Sequence, residues 1–63
     1  MNVTINGEKK IINQGTKIRD LVIDLLDARR ALVIEINGMI TSDFDTALSD
    51  GDTVEIVTFV GGG

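Results

Sequence analysis

The chain contains no cysteine and no histidine among its 63 residues. Those two absences remove disulfide staples, thiolate and imidazole metal sites, Ser-His and Cys-His dyads and cysteine redox chemistry together. Aromatics are scarce as well. Only Phe44 and Phe59 carry a ring, so a core has to be built from Val, Ile and Leu, each worth roughly 1.5–3 kcal/mol when buried. No apolar run approaches the roughly 20 residues of a membrane span, and the first residues lack the basic start and apolar stretch of a secretory signal. A soluble, cytoplasmic protein is expected. At this length a domain buries only about 60% of the surface its unfolded chain exposes, which leaves no second core to build and predicts one domain over residues 1–60.

Positive charge is also missing from one half. All six basic residues (Lys9, Lys10, Lys17, Arg19, Arg29 and Arg30) precede position 31, and residues 31 to 63 hold six acids and no base. Such a half repels phosphate backbones and is steered towards basic protein surfaces, which predicts protein partners and no nucleic acid; the same acids also keep a small apolar domain in solution.

What is present reads as alternating strands around one helix. Val3 and Ile5 alternate with Asn2 and Thr4, and Asn6-Gly7 is the commonest two-residue hairpin turn, so a second short strand is predicted over 8–12. Gln14-Gly15 then breaks the chain, and Thr16 is placed to cap a helix. In that helix Ile18, Leu21, Val22, Leu25 and Leu26 form one apolar stripe, with Ile23 off it. Leu32 to Ile36 is a nearly continuous apolar strand, followed by a second turn at Asn37-Gly38 and a short fourth strand at Met39-Ile40. Residues 41 to 52 are polar apart from Phe44, Ala47 and Leu48, whose spacing suggests a helical turn anchoring the loop; Asp50-Gly51-Asp52 closes it. In the last strand, Thr53 to Val60, alternation puts Val54 and Ile56 on one face and Val57 and Phe59 on the other.

One mixed sheet of four or five strands packed on one helix satisfies this order, with the last strand in the middle beside the first. That is an α+β, β-grasp (ubiquitin-like) arrangement. The body holds no catalytic constellation: Asp50 and Asp52 flank a turn glycine without the 6–8 oxygen ligands a calcium site needs, and no metal site is expected. The expected protein is a cosubstrate, not an enzyme.

Gly61, Gly62 and Gly63 form the predicted tail. Three glycines without side chains permit unusual backbone angles and can be drawn through a channel too narrow for a Cβ. The one reactive group is the Gly63 carboxylate. With an ordinary pKa of about 3.3–3.7 it is ionised at neutral pH and able to attack the α-phosphate of ATP in a partner that supplies magnesium and cationic groups. The acyl-adenylate so formed is open to sulfur attack, which yields a terminal thiocarboxylate. A frayed terminus is the bland alternative for the same glycines.

Several blocks carry a resemblance: Val3-Thr4-Ile5-Asn6-Gly7-Glu8, Gly15-Thr16 with Leu21 and Leu25-Leu26 behind it, Val33-Ile34-Glu35-Ile36-Asn37-Gly38, Asp50-Gly51-Asp52-Thr53-Val54-Glu55-Ile56 and Phe59-Val60-Gly61-Gly62-Gly63. In this order and length the chain resembles the ThiS family, the sulfur carriers of thiamine-thiazole synthesis, over essentially its whole extent. The resemblance implies that Gly63 is adenylated by a ThiF-type enzyme using ATP and magnesium and converted to the thiocarboxylate through a sulfur donor system. A ThiG-type thiazole synthase would then draw on it as its sulfur source. It implies that Gly62, with Gly61, gives access to the tail. Thr41-Ser42-Asp43 stands where many relatives carry a proline or a basic residue, so a carrier serving another pathway also fits. Three further readings remain: the small subunit of molybdopterin synthase, a protein-conjugation module, and a non-conjugating ubiquitin-like module that binds through Val57, Phe59 and Val60.

Overall fold

A computed structural model describes residues 1–59. Strands β1 (Asn2–Ile5) and β2 (Glu8–Ile11) form the first hairpin, helix α1 (Ile18–Asp27) follows, and β3 (Ala31–Ile36) and β4 (Met39–Thr41) form the second hairpin before β5 (Thr53–Phe59). The sheet has five strands in the order β2-β1-β5-β3-β4, so the final strand joins the two hairpins from the middle. It runs parallel to β1, with Thr4 opposite Thr53, and antiparallel to β3, with Ala31 opposite Phe59.

Both turns have the form their sequences predict. Asn6 and Gly7 have φ of 50° and 83°, Asn37 and Gly38 of 52° and 84°, the doubly left-handed backbone of a type I′ turn whose twist matches its strands. Beyond β2, Ile12 exchanges backbone hydrogen bonds with Met1 in both directions, at 2.8 and 2.9 Å.

The apolar stripe of α1 meets one face of the sheet. Ile18 and Val22 are buried with Ile34, Val54 and Leu48, and Leu21, Leu25 and Leu26 pack around them, whereas Ile23 lies outside the stripe and is exposed. This aliphatic packing is the predicted core.

Two local expectations are corrected. Thr16 does not cap the helix: its hydroxyl donates to the Asn13 carbonyl at 2.6 Å, and Lys17 is the residue preceding the first turn. The amides of Ile18 and Arg19, which a helix start leaves without intrahelical partners, donate instead to the carbonyls of Thr46 and Phe44. Asp20 Oδ2 accepts from the Lys17 N–H at 2.9 Å. The second correction concerns the same loop, which contains no helical turn. Thr41 and Asp43 form side-chain turns, the Asp43 N–H donating to Thr41 Oγ1 and the Asp45 N–H to Asp43 Oδ1, after which Ala47 bridges Lys17. Leu48 does anchor the loop in the core and Phe44 packs against it, but Ala47 is exposed.

Arg19 and Asp45 fasten the loop further, with Nε to Oδ1 at 2.9 Å and Nη2 to Oδ2 at 3.4 Å. The guanidinium holds the Asp45 carboxyl below the usual carboxylate range, chiefly through these hydrogen bonds, and the carboxylate raises Arg19 in turn. At the other end α1 stops in a Schellman turn: the Arg29 N–H donates to the Leu26 carbonyl and the Arg30 N–H to that of Leu25. Arg29 there holds a φ of 55°, a position that favours glycine.

Candidate functional site

The site is built around the end of β5. Register alone decides what that strand shows to each side. Val54 and Ile56 face the helix, while Glu55, Val57 and Phe59 lie on the open face with their cross-strand partners Glu35, Val33 and Ala31. Val57 is 46% exposed and Phe59 51%, against 0% for Val54, so the predicted split between the two faces is observed. Ile40, opposite Glu35, adds a third well-exposed apolar side chain to this face.

Backbone hydrogen bonds sort β5 in the same alternating way. The Asn37 N–H donates to the Thr53 carbonyl, which makes the odd-numbered residues of β5 the ones bonded to β3. On the other side the Thr4 N–H donates to the Asp52 carbonyl and the Asn6 N–H to that of Val54, so even-numbered residues turn towards β1. Where each neighbouring strand gives out, an asparagine side chain takes over. Asn37 Oδ1 accepts from the Thr53 N–H at 2.9 Å, and Asn6 Oδ1 accepts from the Ile56 N–H at 2.7 Å. These two clasps were not foreseen; Asn-Gly signals the turn, but only the ladder shows what the amide can reach.

The acids that flank Gly51 are occupied by the fold. Asp50 Oδ1 accepts from the Asn2 N–H at 2.7 Å, and Asp52 accepts from Asn37 Nδ2 at 3.0 Å and from the Ser49 N–H at 2.8 Å. Among the described residues no three His, Cys, Asp or Glu side chains gather into a metal-binding group. A depression of about 300 Å³ beside the Asp50 turn is lined by Asn2, Val3, Thr4, Lys9 and Gly51. Lys9 is its one ionisable side chain, so it offers no acid–base couple.

Thus the described body presents its last strand from the centre of the sheet, with Val57, Phe59 and Ile40 exposed on the open face beside Glu35 and Glu55. Of the predicted site residues, the structure places Val57 and Phe59 together on that face; Gly61, Gly62 and Gly63, with Val60, lie outside the described residues. No helix among the described residues is long and apolar enough to cross a membrane.

A mixed sheet gripping one helix, with the first and last strands parallel at its centre, defines a β-grasp domain. Residues 2–63 match the model of the ThiS family. The crystal structure of a thiamine biosynthesis protein (ThiS) from Geobacter metallireducens is similar, at 34% sequence identity and a TM-score of 0.73, with 100% of each chain covered. No curated protein matches the chain. The chain belongs to the ThiS family, a family of small sulfur-carrier proteins.

Proposed function

We propose that this protein carries sulfur as a thiocarboxylate on Gly63, for the thiazole of thiamine, in the cytoplasm. One observation supports this most: β5, the middle strand, leads at Phe59 into Val60-Gly61-Gly62-Gly63, and the match to the ThiS family runs through residue 63. The body would act as a handle and the carboxylate as the reacting group. In a ThiF-type partner holding magnesium and ATP, a Gly63 carboxylate oxygen attacks the α-phosphorus and pyrophosphate leaves. A hydrosulfide equivalent released by the donor system then adds to the acyl carbon, AMP departs as the acyl C–O bond breaks, and loss of the sulfur-bound proton leaves the thiocarboxylate. A ThiG-type synthase is the consumer in this reading. Gly62 and Gly61 supply the narrow approach, and Val57 and Phe59 the partner contact.

Incubation with the adenylating enzyme, MgATP and a sulfur donor should add the mass of one oxygen-to-sulfur exchange, located at Gly63 by fragmentation. Deleting Gly62 and Gly63 should abolish it while the body stays folded. A competent enzyme set that leaves the intact chain unchanged in mass would overturn the reading.

A further inference from the structure

β5 is seven residues long and its neighbour β1 is four, and the two pair only at Thr4–Thr53 and Ile5–Val54. The central strand therefore outruns its neighbour. Since even-numbered residues of β5 point their backbone groups towards β1, the groups beyond the end of that strand are those of Ile56 and Thr58. The Ile56 N–H is taken by Asn6 Oδ1. The Ile56 carbonyl and the N–H and carbonyl of Thr58 have no hydrogen-bond partner among the described residues. A central strand, normally closed on both edges, thus ends in a short open edge next to the root of the glycine tail. Unpaired strand groups of this kind are a template for another strand.

We propose that this edge is a β-augmentation site, and that the partner which receives the tail lays an extended segment along Ile56–Thr58. Its backbone would bond the three open groups. An apolar side chain on the open face would lie against Val57 and Phe59, which already expose about half their surface there. A second copy of the chain is the poorer occupant. Three backbone groups bury far less than the roughly 1,200 Å² of a stable interface, and each copy brings a net charge of −4. An extended, non-acidic segment on the partner that also receives the tail meets no like charge, and the tail adds contact area that a second copy lacks. Pairing there would also fix the direction in which the tail leaves the sheet, which connects the edge to the chemistry. The inference rests on the sulfur-carrier reading for the identity of the partner, not for the existence of the edge.

The Thr58 amide reports on it directly. In the free protein it should exchange with solvent rapidly, and in complex with the ThiF-type enzyme and MgATP it should slow by about tenfold or more. Thr58→Pro removes that N–H, which no bond of the described fold uses, and should raise the carrier concentration needed for half-maximal ATP–pyrophosphate exchange by about tenfold. Thr58→Val keeps the N–H, and its amide should still slow in exchange on binding, which separates loss of the backbone donor from loss of the side chain. Unchanged Thr58 exchange in the complex overturns the proposal, as does protection that grows with concentration of the carrier alone. The two readings fail separately: wild type adenylated with Thr58 unprotected removes the edge and leaves the carrier. Wild type bound with Thr58 protected but never adenylated removes the carrier and leaves the edge.

Discussion

The two Asn-Gly turns have the same sequence, nearly the same φ angles and the same habit of reaching for β5, yet they do opposite things to it. Asn37 sits where β5 begins and closes it. Its side chain receives the Thr53 N–H and donates to Asp52, its own N–H donates to the Thr53 carbonyl, and the ladder with β3 continues without a gap. Asn6 sits part-way along β5, receives one N–H, and beyond it no strand continues. One turn seals the strand at its start and the other marks where its protection stops. Identical local signals therefore acquire different roles from the length of the strand they face.

The largest effect is expected from Asn37→Ala, which removes both side-chain bonds and leaves a β-carbon at φ 52°. Urea denaturation should show a loss of about 2–4 kcal/mol, from bonds worth about 0.5–1.5 kcal/mol each and a left-handed penalty of about 1 kcal/mol. Asn6→Ala loses one bond at a similar φ, and the same measurement should give about 1.5–2.5 kcal/mol. Equal losses at the two sites would break the comparison. Arg29→Gly calibrates it. Arg29 is the remaining non-glycine residue with positive φ and its side chain forms no hydrogen bond among the described residues, so relieving its backbone should raise stability by about 0.5–1 kcal/mol.

The smallest effect is electrostatic and belongs to the Asn37 end, whose loop is held by acids. Asp45 has its pKa lowered in the folded state by Arg19, so the pair stabilises the fold above the ordinary carboxylate range. That contribution disappears as the pH falls through the depressed value. Asp45→Asn should therefore be slightly less stable than wild type at neutral pH and converge with it in acid. Added salt should narrow the gap, because both groups are exposed. A gap that persists at low pH would place the effect in packing.

Much of this was readable from residue patterns. The hairpins, the helical stripe from Ile18 to Leu26 and the split of Val54 and Ile56 from Val57 and Phe59 each rest on contacts encoded by local periodicity. Thr16 misled because the helix start is satisfied from Phe44 and Thr46, far along the chain, and no local pattern reports a carbonyl arriving from another loop. Phe44, Ala47 and Leu48 imitate helical spacing, but the Thr41 and Asp43 side chains offer the backbone competing turns and Ala47 pairs with Lys17. The open edge at Thr58 was invisible for a different reason. It depends on register and on a difference in strand length, and side-chain type says nothing about an unpaired amide.

The parallel pairing of β1 with β5 also governs how the molecule comes into being. Without β5 the two hairpins share no strand, so a chain still emerging from the ribosome, or one cut before Thr53, has no continuous sheet to form. The joining contacts are among the most distant in sequence and wait for β5, which is synthesised after every other described element, a topology that places completion of the sheet late in folding. Under the proposed carrier role, an enzyme that recognised the finished sheet would be spared unproductive encounters with incomplete chains, because the strand that completes the body is the one that leads into the glycines.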